Sequence, residues 1–272
     1  MSTVSTPVPT RSHPVADAMT MLGRQLRHAR RYPELTVIVL LVPVVLLVLF
    51  VLVFGGTLGA GLGPVAGGGR GTYADYVLPG ILVMTVASIA QGTSTTMAMD
   101  TTQGIIDRFR TLSISPGAVL SGHVLAATIQ SVASMAVVTG VGLTVGFRPR
   151  ASLTDWLLVL ALLTGLSLAV SWLSVALGLA SRTVESASNY PMPLVLLPFL
   201  GSGFVPTESM PAGLAWFAEH QPFTPVMDAL RGLLLGTGVT AGTAWLAAGW
   251  CVVMAVAGWW LARRLYARPR RA

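Results

Sequence analysis

The residues able to do chemistry are few in this chain, and they are scattered. Its 272 residues include four histidines, ten carboxylates, one cysteine and seventeen basic residues, and every basic residue is an arginine. Without lysine a G-x-x-x-x-G-K-[ST] phosphate loop cannot be written, so the chain has no visible means of hydrolysing a nucleotide. His13 and His28 stand in a polar leader, His123 near the end of an apolar run and His220 in a polar connection. Their spacing assembles no metal site. Cys251 sits alone inside an apolar run, which excludes a disulfide framework and a thiolate metal site. No acidic cluster could hold magnesium against a diphosphate. Hydroxyls are plentiful, as in Gln91-Gly-Thr-Ser-Thr-Thr96, but no general base is partnered with them. Such groups serve helix packing and local hydrogen bonds, or they line a polar route, with Gln91 and Thr95 the suggestive members.

The elements that position these residues belong in a membrane. Apolar residues make up 53% of the chain and charged residues 10%, against about 25% charged in soluble domains. Six stretches carry no Asp, Glu or Arg: 35–54, 76–99, 119–147, 156–180, 190–205 and 241–262. A helix crossing the hydrocarbon core needs about 20 apolar residues. The pattern predicts an all-α integral membrane protein with six transmembrane helices in a domain over 35–262. A leader, 1–34, precedes it and a basic tail, 263–272, follows. The long polar leader does not fit a cleaved signal peptide, so the first run reads as a retained span.

Arginine placement sets the orientation. With both termini cytoplasmic, Arg11, Arg24, Arg27, Arg30, Arg31, Arg108, Arg110, Arg182, Arg263, Arg264, Arg268, Arg270 and Arg271 lie inside. Only Arg70, Arg148, Arg150 and Arg231 lie outside, whereas the acids divide evenly. The positive-inside rule counts basic residues, so it selects this topology in the plasma or inner membrane.

Three connections have a character of their own. Residues 15–31 predict a basic amphipathic helix at the cytoplasmic interface, with Val15, Met19, Leu22 and Leu26 on one face and Arg24, Arg27, Arg30 and Arg31 to one side. Residues 55–71 are rich in glycine and read as a flexible outer loop. Residues 206–236 read as two short helices, one opened by Ser209 and Pro211. The other has Thr224 as N-cap, Pro225 at the first helical position, and Gly236 at its end. Asp228 and Arg231, three apart, can pair on the second helix. Helices this short can enter a membrane but not cross it, so a re-entrant hairpin from the outside is expected.

Ion-coupled carriers usually place ionisable groups within the membrane, and the middles of these spans hold no acid or arginine. Power must therefore come from elsewhere. The cytoplasmic connection 103–116 mixes Asp107, Arg108 and Arg110 with Ile105, Ile106, Phe109 and Leu112. Ile105, Phe109 and Leu112 share a helical face, which suits docking into a partner's groove or resting on the bundle. A secondary carrier with unusual coupling and a membrane assembly factor remain as other classes.

Four segments resemble those of ABC-2 type permease subunits, especially the actinobacterial drug-export branch of daunorubicin-resistance permeases. They are Tyr76-Val-Leu-Pro-Gly-Ile-Leu, Gly104-Ile-Ile-Asp-Arg-Phe-Arg-Thr-Leu, Gly203-Phe-Val-Pro before Met210 and Pro211, and Pro222-Phe-Thr-Pro-Val-Met-Asp-Ala-Leu-Arg-Gly. The resemblance implies an exporter in which two permease subunits, alike or related, each bind a separate cytoplasmic ATPase. ATP and magnesium would sit on that partner, and this chain would hold no cofactor and catalyse nothing. The family's coupling helix falls on Gly104 to Leu112, with Asp107, Arg108 and Phe109 as the residues contacting the ATPase. The leader matches its interfacial helix and residues 206–236 its re-entrant hairpin. Cargo would be a drug or secondary metabolite, or alternatively a lipid-linked glycan or polysaccharide precursor.

Overall fold

The computed structural model describes residues 14–31, 33–61, 69–106, 108 and 115–267. Eleven α-helices are described: α1 Pro14–Arg31, α2 Pro33–Leu49, α3 Gly55–Gly61, α4 Arg70–Thr102, α5 Pro116–Val145, α6 Leu153–Ala180, α7 Val184–Asn189, α8 Met192–Leu196, α9 Ala212–His220, α10 Phe223–Leu235 and α11 Ala241–Ala267. Among the described residues, five helical stretches are long and apolar enough to cross a membrane: Val39–Ala60, Gly71–Thr102, Gly117–Val145, Leu153–Ala180 and Ala241–Ala267.

α4 is the axis of the bundle. Its 33 residues rise about 50 Å at 1.5 Å each, well beyond a hydrocarbon core of about 30 Å. It is buried along most of its length, with α2, α5, α6 and α10 packed around it. Small residues permit the closest approaches, since dispersion and shape complementarity hold helices together in lipid. A Cβ on Gly80 would fall 2.7 Å from the carbonyl oxygen of Gly203, and one on Gly178 would fall 2.5 Å from that of Ser94. α6 and α11 form the most extensive helix pair, with Gly258 against the backbone of Trp172 and Leu173.

The ends of the long helices follow local chemistry. Pro116 occupies the first turn of α5, where its missing N–H costs nothing. Ser152 and Asp155 form a reciprocal capping box at the start of α6. Gly236 ends α10 in the left-handed region, φ 66°.

Several expectations require correction. Residues 190–205 do not form one helix. Pro191, Pro193 and Pro198 break them into α8, a 3-10 turn over Leu197–Leu200 and a tight turn, because proline removes a backbone donor and clashes with the preceding turn. This segment is absent from the five stretches able to cross as single helices. The glycine-rich residues 55–61 are not loop. α2 continues through a π-helical turn, Phe50–Phe54, into α3, so the helix that carries the first apolar stretch runs on past Phe54 to Gly61. Thr224 is not the cap of α10, since Pro222 holds that place and Pro225 lies in the third helical position. The Thr224 hydroxyl instead donates to the Ala218 carbonyl and accepts from the Gln221 amide, stapling α9 to α10.

On α1, Met21 and Leu22 meet protein, with Met21 pressed against Gly122 of α5, while Val15 and Met19 of the apolar face are exposed, as residues free to meet a membrane surface would be. Arg27, Arg30 and Arg31 remain at the surface as expected, but Arg24 turns inward.

Candidate functional site

The inward turn of Arg24 has a partner. Because α4 overshoots a membrane thickness, its last turns carry Asp100 to the level of α1. There the Arg24 guanidinium donates two bonds of 2.8 Å, one to each carboxylate oxygen. His123 of α5 brings Nε2 to 3.3 Å from Asp100 Oδ2 and 2.8 Å from the Gln25 amide. Its Nδ1 lies 3.0 Å from the Val119 carbonyl, one turn back on the same helix. A carboxylate that is 8% exposed needs such partners, because burying an unpaired charge is costly. One acidic group thus fastens α1, α4 and α5 together. A second tie lies one element away, where Asp17 of α1 accepts a bond of 3.1 Å from the Ser115 amide at the start of α5.

Above this clamp is a cavity of about 450 Å³ between α1, α2, α4 and α5. Gln25 and Ala29 of α1 form one wall; Ser88, Gln91 and Thr95 of α4 face Gln130 and Ser134 of α5. Among the described residues that line it there is no carboxylate or guanidinium, and His123 is the one ionisable group. Gln91 donates 2.7 Å to the Ser188 carbonyl before α8, and Thr95 bonds back to the Gln91 carbonyl at 3.2 Å. Both residues expected on a polar route therefore face the same cavity.

At the other end, α10 buries most of its residues, with Phe223, Val226, Met227, Ala229, Leu230 and Leu234 in the main core. The expected Asp228–Arg231 pair forms at 2.8 Å. Asp228 also accepts from Ser202 at 2.6 Å, and Arg231 donates to the Ser202 carbonyl at 2.6 Å while its guanidinium lies 4.0 Å over the Tyr76 ring. Pro211 stands at the N-cap of the exposed helix α9.

After α4, Gly104 takes φ +70° and turns the chain. Ile105 is half-buried, and Ile106 drops into a small core with Met97, Leu120, Val124 and Tyr266. Ile106, which is not on the expected docking face of Ile105, Phe109 and Leu112, is thus an anchor. Arg108 is exposed, with its amide bonded to the Gly104 carbonyl at 3.1 Å. Asp107, Phe109, Arg110 and Leu112 lie outside the described residues.

The sequence model of the ABC-2 type transporter family matches residues 17–235, from Asp17 of the clamp to the end of α10. This chain belongs to the ABC-2 type transporter family. With five helical stretches able to cross a bilayer, it is a multi-pass membrane protein. Among its ABC-2 relatives, it is 29% identical over 231 residues to the daunorubicin resistance ABC transporter permease protein DrrB1 of Streptomyces coeruleorubidus, covering 84% of this chain and 78% of that one. It is also 30% identical over 159 residues to the probable doxorubicin resistance ABC transporter permease protein DrrC of Mycobacterium tuberculosis, covering 56% of each chain.

Sequence reasoning missed Asp100, Gln25, Gln130 and Ser134 in this ABC-2 chain. One signal was available. Asp100 is the sole acid following 24 uncharged residues of a span, and an acid in that place needs a cation from another segment.

Proposed function

We propose that this chain is the permease subunit of an ATP-binding-cassette exporter that moves a drug or drug-like secondary metabolite out of the cell. The observation carrying the reading is its 29% identity, across 84% of its length, with a permease named for daunorubicin resistance. In this reading the chain crosses the membrane six times with both termini cytoplasmic, as its arginine distribution favours. The broken segment 184–205 makes the fifth crossing, and α9 with α10 forms a re-entrant hairpin on the outer side. A second permease subunit, alike or related, completes the transport unit.

A separate ATPase holds ATP and magnesium and docks on residues 104–112, with the interfacial helix α1 beside it. ATP binding draws two ATPases together, and each presses on that connection. Asp17–Ser115 and Arg24–Asp100 fasten the two bases of the connection to α1, so the push reaches the helix that walls the cavity. Gln91 and Thr95 line the route taken by the cargo, and the prolines of 190–205 let the fifth crossing yield.

The test is cellular accumulation of daunorubicin in a susceptible host. Co-expression of the chain with a partner ABC ATPase lowers intracellular daunorubicin, and substitution of that ATPase's phosphate-loop lysine abolishes the effect. Equal accumulation with and without the pair would refute the reading.

A further inference from the structure

The cavity between α4 and α5 offers polar groups whose hydrogen-bonding capacity the fold leaves open. Gln130 and Ser134 stand four residues apart, hence on one face of α5, and both line the cavity. Neither side chain bonds to another described residue, although Ser134 is 95% buried by its 5% exposure. Gln91, opposite, commits its N–H to the Ser188 carbonyl and keeps its side-chain oxygen free of described partners. The wall therefore presents amide donors, a hydroxyl and amide acceptors, beside the hydroxyls of Ser88 and Thr95 and the apolar side chains of Ile89, Ala126 and Ala127. Buried polar groups of this kind gain from a ligand that supplies the complementary atoms and lose when left unpaired.

Charge is handled differently. Asp100 and Arg24, next to the cavity, satisfy each other through two bonds of 2.8 Å. A ligand ammonium in the cavity would find no carboxylate among the described residues of its walls. The one basic group there, His123, is already held by Asp100, Gln25 and the Val119 carbonyl, so a charge left uncompensated there is disfavoured. A volume of about 450 Å³ falls within the range of sites for drug-sized molecules.

Resting on the export reading, we propose that this cavity, within one permease subunit, binds the uncharged, oxygen-bearing ring system of the cargo. Gln130, Ser134 and Gln91 grip its hydroxyl and carbonyl oxygens, and any charged substituent stays outside. The aglycone part of a glycosylated polycyclic drug is the chemical class that fits.

Two fluorescent probes test this: daunorubicin, which carries an amino sugar, and the uncharged aglycone left when that sugar is removed. Binding is measured to the full chain, purified with its ATPase in lipid nanodiscs. Both probes bind saturably with Kd values within threefold of each other. Gln130→Leu with Ser134→Ala weakens both at least tenfold, and Ser134→Phe, which fills the space, abolishes both, while melting temperatures show each variant folded. If a variant does not fold, Gln91→Leu takes its place, with a weakening of at least fivefold expected. Absence of binding, unchanged affinity in folded variants, or daunorubicin bound more than tenfold tighter than the aglycone would overturn the proposal. Cellular accumulation separates this from the export reading. Wild-type-like export by folded variants removes the cavity and leaves the exporter, whereas a wild-type pair that exports nothing removes the exporter itself.

Discussion

Arg24 and Asp100 lie 76 positions apart in sequence and meet through two parallel N–H···O bonds of 2.8 Å. The fork of a guanidinium matches the two oxygens of a carboxylate, which gives direction as well as attraction. The pair joins an amphipathic helix outside the bundle to the end of its central helix. Removing Arg24 strands the buried Asp100 carboxylate and removing Asp100 strands a half-buried guanidinium, so Arg24→Ala and Asp100→Ala should each cost about 1–3 kcal/mol. The double variant should cost less than the sum of the singles. A double-mutant cycle on melting in detergent, with exchange of the two residues as partial rescue, measures the coupling; strict additivity would mean that the pair contributes nothing.

Helix packing around α4 gives a second expectation. Gly178 has no room for a side chain, because a Cβ would fall 2.5 Å from the Ser94 carbonyl oxygen. Overpacking of this kind costs about 1–3 kcal/mol, so Gly178→Val should sharply lower the yield of folded protein. Gly140, on α5, has nothing within 4 Å, and Gly140→Ala should be neutral or stabilising by up to about 1 kcal/mol through helix propensity. Size-exclusion profiles and melting curves compare the two directly.

A third expectation concerns α10. Arg231 reaches Asp228, the Ser202 carbonyl and the Tyr76 ring at once. Arg231→Lys keeps the charge but cannot span these partners in one plane. Both Arg231→Lys and Arg231→Met should therefore loosen the α9–α10 pair, with faster proteolysis between residues 206 and 222. A lysine variant as resistant as wild type would assign the anchoring to charge alone.

Whether 184–205 crosses the bilayer can be tested by labelling. In a Cys251→Ser background, Glu208→Cys should react with a membrane-impermeant maleimide on intact cells. Glu185→Cys should react only after lysis. Equal labelling of both on intact cells would put them on the same side and remove the fifth crossing.

The sequence made the long spans legible because charge-free runs of this length have one stable home. It also exposed the Asp228–Arg231 pair, since three residues apart on a helix is a contact distance. The Arg24–Asp100 clamp was hidden because no local spacing relates α1 to α4, and Asp100 stands one position past the expected end of its span. The glycines of 55–61 favour loop by propensity, yet they continue a helix already nucleated by α2, where extension is easier than initiation. Residues 190–205 are apolar enough for a span, but three prolines set backbone geometry against composition. The cavity arises from four helices meeting, so Gln130 and Ser134 read in isolation as ordinary packing residues.

The central claim is that this chain borrows its driving force. Reconstituted in vesicles with its ATPase, it should move daunorubicin only when ATP is supplied, and the permease alone under an imposed proton gradient should move none. Gradient-driven accumulation of daunorubicin by the permease without any ATPase would contradict the account.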